Sequence, residues 1–443
     1  MKPASVALPA PRTRAGAEKA ATKPVAGRAA ARGRSRTVNL KREVHAPDGA
    51  IMIAALALTA LGILMVYSSS GVQAYIVQAD SLAGVGPQFV WAGLGIVAML
   101  AAMRLDYRFW RYASTPLFAV AMLLLVIVLL PGVGTVIGGS ARWLKIGPLP
   151  AVHPAEFAKL ALIVYLAHWM ASRGPRISSV LHGTLPFLLL AAPMVVLVLR
   201  EPDLGTAAVL TLTALTLFFV AGANLWQFLL FVPAGAAAVA FVVVSHAYQL
   251  QRVLTFLDPW KDAHNDGFHT VQGLLALGLG GLVGEGLGPS PAGGGLALPN
   301  ASNDFIFAVV GQQFGLIGGL TVIGLFVIIA WQGARVALLA PDTFGGLLAI
   351  GVTAWISLQA FVNMAVVVNL LPVTGITLPF VSDGGSSLMV SFAAVGILLS
   401  VSRETKTGGT WNDADPHRRR WFRRAHPAGP GRRPVAARAA RRP

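Results

Sequence analysis

Apolar stretches of about 20 residues recur along this chain, and each is long enough to cross a lipid bilayer as a helix. These runs are continuous rather than alternating, which favours helices over barrel strands. A hydrophobic content of 55% and a mean hydropathy of +0.67 also exceed those of typical soluble domains. The sequence therefore predicts an all-α polytopic membrane protein with both termini on one side and about ten spans, at 51–68, 88–103, 114–131, 157–171, 184–199, 204–221, 225–246, 304–331, 346–369 and 384–402.

The positive charge of the chain lies in its two tails. Residues 1–50 hold 11 Lys and Arg against three acids, and residues 403–443 hold 12 against three, so the tails carry the whole net charge of +17. Their composition predicts disorder, and the positive-inside rule places both in the cytoplasm, against anionic lipids. No aromatic-interleaved fold accompanies them, so a nucleic-acid partner is not expected. The predicted domains are two basic disordered tails, 1–50 and 403–443, around a membrane domain, 51–402.

The largest segment predicted to face outward is a large extracytoplasmic loop between the seventh and eighth spans, at about 247–303. Its glycine-rich part, 277–300, favours close packing or a re-entrant turn, with a flexible linker as the alternative. It fits no nucleotide-binding fingerprint. The absence of cysteine excludes disulfides and thiolate catalysis.

Charged and polar residues occur where the apolar pattern begins. Glu156 and Lys159 are three residues apart, on one helix face, after Pro154, which suits a first helical turn. Such a pair inside a bilayer is either functional or purely structural. Further polar residues lie at the outer ends of other spans: Arg142, Trp143, Lys145, Arg200, Asp203, Asp383, Ser386 and Ser387. Simpler roles stay open for two of them, Trp143 as an interfacial anchor and Asp203 as a helix cap.

Together these groups fit a substrate with an anionic head and a lipid tail. Glycosyl transfer from a lipid pyrophosphate needs a base for the acceptor hydroxyl and positive charge for the leaving group. A transporter of the same lipid would use a similar polar site. The spacing of the residues leaves both classes open.

Several short motifs then follow one another in a specific order: "YSSS" at 67–70, "GSARWLKIG", "HPAEFAK", "EPDLGTA", "FLDPW", "LPNASNDFIFAVVGQQFGLIGG" and "NLLPVTGITLPFVSDGGSS". With these motifs the chain resembles the SEDS family (shape, elongation, division and sporulation proteins), which includes FtsW, RodA and SpoVE. The resemblance covers nearly all of 51–402. It favours the FtsW/SpoVE branch over RodA.

The resemblance implies a peptidoglycan glycosyltransferase of the bacterial inner membrane that polymerises lipid II outside the cytoplasm. A class B penicillin-binding protein and divisome proteins would be its partners, and the septum its location in an FtsW-like role. The aspartate of the family motif T-D-F-I-F-A, the proposed catalytic residue, falls on Asp304. Candidates to offset the pyrophosphate charge are Arg142, Lys159, Arg200 and Arg252. No cofactor is required, and a divalent cation stays open. The alternatives are a RodA-like elongation polymerase, a lipid II flippase, and a scaffold that activates a partner synthase.

The chain departs from the family pattern around this site. A usual glutamine is replaced by His153, usual acids are replaced by Asn300, Gln312 and Gln313, and a carboxylate is gained at Asp383, a rival for the catalytic role. Because Asp304 has fewer acids around it than in the relatives of this chain, we expect its carboxyl to have a lower pKa than in those relatives. A purely structural role for Asp304, as a cap of the eighth span, also stays open.

Overall fold

The computed structural model describes residues 44–78, 85–137, 140–145, 151–245, 247–265, 267–288 and 302–405. Within these ranges the chain forms twelve α-helices and one short antiparallel hairpin of β1 (Thr135–Ile137) and β2 (Ser140–Trp143). The helices are α1 (Gly49–Gln78), α2 (Gly86–Arg104), α3 (Phe109–Val128), α4 (Pro154–Arg173), α5 (Leu185–Arg200), α6 (Leu204–Val220), α7 (Leu225–Ser245), α8 (Ala247–Leu257), α9 (Phe268–Gly280), α10 (Ile306–Leu339), α11 (Thr343–Val367) and α12 (Ser386–Ser402). The all-α prediction is confirmed. The predicted disorder of the tails falls on residues that lie almost wholly outside the described ranges.

Each of the ten predicted spans coincides with a helix, namely α1 to α7 and α10 to α12. By length and composition, six segments of the described chain are able to cross a membrane: Gly49–Ser69, Gly86–Arg104, Phe109–Val128, Val180–Arg200, Ile306–Leu339 and Thr343–Val367. The apolar helices α6 and α12 are shorter, at 17 residues each. The count of ten crossings therefore stays a prediction.

The segment predicted as one large outer loop, 247–303, is instead largely helical in its described part. It contains α8, a 3₁₀ turn at Pro259–Asp262, and α9. The apolar helix α9 packs against α10 and α11. After α9 the chain runs along α10, where the amide of Leu316 donates to the carbonyl of Gly281 over 2.9 Å. The flexible-linker alternative is therefore wrong for 277–288, the described part of the glycine-rich segment, because its backbone is hydrogen-bonded to α10.

Backbone contact between this stretch and α10 requires glycine on both sides. A Cβ atom on Gly280 would collide with the backbone of Gly311, and one on Gly284 with the backbone of Gln313. Helix α10 is broken at Gly315, whose φ of 63° and ψ of −160° are non-helical. The close-packing interpretation is thus confirmed for Gly280 and Gly284.

The centre of the bundle is formed by α4 and α11, which pack against each other and both against α6 and α12. Apolar side chains such as Trp355 and Phe392 are fully buried there. Helix α2 approaches α12 closely at two glycines, since a Cβ on Gly396 would meet the backbone of Met99 and one on Gly95 the ring of Phe392. Small residues at such crossings let helices pack by van der Waals contact within a lipid environment.

Four helices begin beside one cavity, and this arrangement positions the site. Pro154 opens α4, where its missing N–H costs no hydrogen bond. Asp203 caps α6, its Oδ1 accepting the amide N–H of Thr206 over 3.0 Å. Asp304 precedes α10, and Ser386 starts α12. The first turns of α4, α6 and α12 and the turn before α10 all contribute side chains to the cavity wall.

Candidate active site

The cavity at these helix starts has a volume of about 200 Å³. Seven of the residues that the sequence singled out line it: Arg142, Trp143, Glu156, Asp203, Asp304, Asp383 and Ser387. They come from five separate segments of the chain. The predicted convergence of carboxylate, cationic and hydroxyl groups is what the structure shows.

The other five singled-out residues lie outside the cavity wall. Lys145 and Arg200 are exposed. Ser386 lies behind the wall and accepts the backbone N–H of His153 at its Oγ over 3.1 Å. Arg252 donates to the carbonyl of Val373 over 3.1 Å. Lys159 is buried and pairs with Glu156.

Asp304 sits in a turn whose backbone is firmly held. The side-chain amide of Asn363 donates both to the carbonyl of Asp304, over 2.8 Å, and to that of Ile376, over 2.7 Å. Next to it, the hydroxyl of Ser382 donates to the carbonyl of Asn303 over 2.7 Å. Within the described ranges, no hydrogen bond reaches the Asp304 carboxylate, so both oxygens are left for a ligand in the cavity.

The surroundings of Asp304 raise the pKa of its carboxyl above the ordinary aspartate value, to about 6. Burial is the main cause, because it disfavours the charged form, and the nearby Asp203 carboxylate adds to it. Arg252 and Arg142 oppose the rise. A carboxyl with this pKa is mostly ionised at neutral pH yet far more basic than an exposed aspartate.

The two glutamines that replace family acids make their contacts outside the cavity. The amide of Gln312 donates to Glu285 over 3.2 Å, and that of Gln313 to the hydroxyl of Ser68 over 2.7 Å. Neither glutamine lines the cavity. Their contacts join α10 to α1 and to the chain after α9.

The Glu156 carboxylate lies in the cavity wall and accepts hydrogen bonds from two groups. Its Oε1 accepts from the Lys159 ammonium over 2.8 Å, and its Oε2 accepts from the Ser387 hydroxyl over 3.0 Å. The Ser387 hydroxyl lies 3.3 Å from that of Thr377. The positive charge of Lys159 therefore balances the negative charge of Glu156, which supports a purely structural role for this ion pair.

Arg142 reaches the cavity from the β-hairpin and is fixed to the turn between α5 and α6. Its Nε donates to the carbonyl of Glu201 over 2.9 Å and its Nη2 to that of Pro202 over 2.6 Å. Burial raises the pKa of the Glu201 carboxyl to about 8, with a contribution from Asp203. Because Glu201 is then mostly protonated at neutral pH, it does not cancel the guanidinium charge, which remains available to an anion in the cavity.

Known proteins carry the same sequence pattern and fold. The family model described as cell cycle protein (FtsW, RodA and SpoVE) matches residues 49–407. The chain belongs to this family. Stage V sporulation protein E of Bacillus subtilis is 40% identical over 360 residues, which cover 81% of this chain and 98% of that protein. A probable peptidoglycan glycosyltransferase FtsW of Geobacter metallireducens is 40% identical over 369 residues, 83% of this chain and 98% of that protein.

Solved structures agree with this membership. A chain of a peptidoglycan synthase complex, studied for the coordination of polymerization and crosslinking, superposes with a TM-score of 0.67 at 29% identity, covering 82% of this chain and 99% of that one. Rod shape determining protein RodA of Thermus thermophilus gives a TM-score of 0.59 at 28% identity, with the same coverage. Like other FtsW/RodA/SpoVE family members, the chain is a multi-pass membrane protein.

Seven lining residues were not among the candidates from the sequence: His153, Thr206, Asn303, Gly375, Ile376, Thr377 and Gly384. Most of them lie inside the family motifs that the sequence displays, such as "EPDLGTA" for Thr206 and "GITLPF" for Thr377. The supporting amides Gln359 and Asn363 carry a signal of their own. They lie one helical turn apart in an otherwise apolar span, where polar side chains need partners.

Among the described residues, no group of three or more His, Asp or Glu side chains is placed to hold a metal ion. The cavity carboxylates come from separate walls, and Glu156 and Asp203 are already engaged by Lys159 and by the start of α6. A divalent cation stays a prediction, and the mechanism below describes what the protein's own groups do.

Proposed function

We propose that this family member is a peptidoglycan glycosyltransferase that polymerises lipid II into glycan strands. The enzyme class is the one that the FtsW relatives carry in their names. The observation that carries the proposal is the unbonded Asp304 carboxylate in a cavity where four helices begin. A general base needs a carboxylate that is not hydrogen-bonded to the protein and a backbone that keeps this carboxylate in position.

The reaction joins an acceptor sugar to a lipid-linked donor. The 4-hydroxyl of the acceptor attacks the anomeric carbon of the donor, and undecaprenyl pyrophosphate leaves. Asp304 accepts the hydroxyl proton as the new bond forms. A pKa of about 6 suits this role, because the base is ionised at neutral pH but still holds a proton well.

Positive charge on the cavity wall can stabilise the leaving pyrophosphate. Arg142 supplies a guanidinium that is already oriented by two carbonyl groups. The N-termini of the surrounding helices add partial positive charge, which favours anions. Groups fixed before the reaction stabilise the developing charge without further reorganisation.

The biological setting is proposed from the relatives. The solved neighbour is part of a complex that couples polymerization with crosslinking, which supports a class B penicillin-binding protein as the partner. FtsW and sporulation relatives at about 40% identity support a role in division or sporulation, at the septum of the inner membrane, rather than in elongation. The cavity would face away from the cytoplasm and the basic tails toward it, in contact with anionic lipids.

The decisive experiment compares two aspartates of the same cavity. Full-length protein, purified with its partner, is incubated with lipid II, and glycan strands are separated by gel electrophoresis. Asp304→Asn should lower polymerisation by at least about 100-fold, since the general base is lost, while the midpoint of thermal unfolding stays near that of the wild type. Asp383→Asn is the matched control and should retain a much larger share of activity.

Two results would contradict the proposal. Glycan strands made at a normal rate by the Asp304→Asn protein would exclude this residue as the base. A loss of activity confined to Asp383→Asn would transfer the role to that carboxylate. Scrambling of labelled lipid II in liposomes by the Asp304→Asn protein would support the flippase alternative.

A further inference from the structure

His153 is fixed in the cavity wall by three elements of the fold. It is the residue before α4, and its backbone N–H donates to the Ser386 hydroxyl at the start of α12 over 3.1 Å. Its ring meets the Trp143 ring edge-on, with centroids 5.2 Å apart. Its Nε2 lies 3.8 Å from Oδ2 of Asp203. A side chain held in this way cannot move out of the cavity without disturbing its neighbours.

The His153 imidazole is incompletely satisfied in this state. Its Nδ1 is buried and has no hydrogen-bond partner among the described residues. The 3.8 Å approach to Asp203 is longer than a hydrogen bond but within the range of an ion pair. Buried polar nitrogens are normally paired, so an unpaired one in a cavity wall indicates a state in which the ring has a further partner or a further proton.

The side chains of the cavity wall carry more negative than positive charge, which is unfavourable for binding a diphosphate. Among the described lining residues, Arg142 is the one permanent cation. Three carboxylates without a basic side chain bonded to them, Asp203, Asp304 and Asp383, face the same space, whereas Glu156 is balanced by Lys159. A diphosphate brings several further negative charges. Helix N-termini favour an anion but supply partial charges only.

We propose that His153 takes up a proton when the diphosphate of a lipid-linked donor enters the cavity, and that the imidazolium then holds this diphosphate together with Arg142. The proton comes from solvent, and no covalent bond changes. The inference rests on the proposed function, since it names how the same site binds the donor. His153 thereby becomes a substrate-binding residue.

The charges around His153 define the pH range of this effect. In the free protein, burial lowers the pKa of His153, with Lys159 and Arg142 acting in the same direction and Asp203 and Glu156 opposing. Asp304 and Asp383 face the cavity from its other walls. A diphosphate beside the ring raises the pKa of His153 by Coulomb attraction. At pH values between the pKa of His153 in the free protein and its pKa in the complex, binding of the diphosphate is accompanied by uptake of a proton. The affinity for the diphosphate therefore falls as the pH rises through this range.

The experiment measures binding without turnover. Full-length wild type and His153→Gln, in detergent with EDTA, are titrated with undecaprenyl diphosphate by calorimetry between about pH 6 and pH 8. Undecaprenol, which has the same tail without phosphates, is the control ligand. Repeating each titration in buffers of different ionisation enthalpy counts the protons taken up. If His153→Gln does not fold, His153→Asn replaces it.

The wild type should lose about three- to tenfold more affinity across this range than His153→Gln, as one linked proton allows up to about tenfold per pH unit. It should also take up close to one more proton than the variant. The diphosphate, Asp304 and Asp383 titrate in both proteins, so the difference isolates the imidazole. Undecaprenol should bind both proteins with little dependence on pH.

Several outcomes would overturn the inference. Superimposable pH profiles for wild type and His153→Gln would exclude proton uptake by this ring. Binding by the wild type only after magnesium is added would assign the missing charge to a divalent cation. The proposed function is tested separately, because Asp304→Asn should fail to polymerise, whereas adding His153→Gln to Asp304→Asn should still reduce the number of protons taken up on binding. A wild type that polymerises lipid II but lacks the pH effect refutes the His153 inference alone.

Discussion

Lys159 on α4 donates a 2.6 Å hydrogen bond to Oε1 of Gln359 on α11, in the buried centre of the bundle. The same oxygen accepts from the indole N–H of Trp355 over 2.7 Å. The amide nitrogen of Gln359 donates to the carbonyl of Thr377 over 3.0 Å. Gln359 thus joins α4 and α11 to Thr377, which lies in the chain between α11 and α12 and forms part of the cavity wall.

These contacts close a ring of polar groups beneath the cavity. From Thr377 the ring continues through the Ser387 hydroxyl to Glu156, and from Glu156 back to Lys159. Each member is buried or partly buried, so few partners other than those in the ring are within reach. Removing one member of such a network leaves the others unpaired, which costs more than the lost bond itself.

Lys159→Met should destabilise the protein strongly. The Lys159 side chain is 2% exposed and that of Glu156 is 8% exposed, so the variant leaves a buried carboxylate without its counter-ion. A loss of about 3–5 kcal/mol is expected for breaking a buried pair on one side only. The measurement is the midpoint of thermal unfolding of the detergent-solubilised protein.

The matched controls for Lys159→Met are a second lysine and a double variant. Lys145 is exposed, and Lys145→Met should leave the midpoint nearly unchanged. Glu156→Gln combined with Lys159→Met removes both charges and should recover much of the lost stability. Equal midpoints for Lys159→Met and Lys145→Met would show that the buried pair is not a source of stability.

Polymerisation should depend on pH through Asp304. The base acts when ionised, and the pKa of Asp304 is raised to about 6, so the rate should fall as pH decreases through about 6. Asp203→Asn removes the carboxylate that helps to raise this pKa while retaining a good helix cap. The acid limb of the rate profile should therefore move to lower pH. Initial rates of glycan synthesis at lipid II concentrations well below saturation give this limb, because they report the pKa of the free protein.

Asp383→Asn is the comparison for this pH shift. The Asp383 carboxylate is not among the charges that act on Asp304, so its removal should leave the acid limb in place, whatever the absolute rate. An acid limb that stays fixed in Asp203→Asn would mean that another group controls it. A limb that moves only in Asp383→Asn would identify Asp383 as the titrating base.

The sequence predicted well those features that depend on local pattern. All ten apolar spans are helices, and Pro154 and Asp203 start α4 and α6 as their positions indicate. The ion pair of Glu156 and Lys159 follows from their spacing on one helix. The convergence of the outer-end residues followed from a topology that alternates sides of the membrane.

Features that depend on contacts distant in sequence could not be predicted in the same way. Burial and the carboxylate of Asp203, 101 positions away, raise the pKa of Asp304, and the residues next to Asp304 in the sequence indicate neither effect. Arg200 and Lys145 were plausible by charge, yet both point to the exterior. Whether a side chain lines a cavity depends on the rotation of its helix and on loop paths, which apolar periodicity leaves undefined.

Gly280→Ala should displace the start of α10 and lower both stability and activity. A Cβ at this position would overlap the carbonyl of Gly311 and approach the Cα of Gln312, and these backbone atoms cannot move aside by a rotamer change. Overpacking of this kind costs about 1–3 kcal/mol. Because α10 begins two residues after Asp304, the shift should also reduce the rate of polymerisation.

Gly278→Ala is the control on the same helix, where a Cβ meets nothing within 4 Å. It should stabilise α9 by about 0.5–1 kcal/mol through the better helix propensity of alanine. Unfolding midpoints and polymerisation rates of both variants check this prediction, and a Gly280→Ala protein as stable and active as Gly278→Ala would contradict the close contact of α9 with α10.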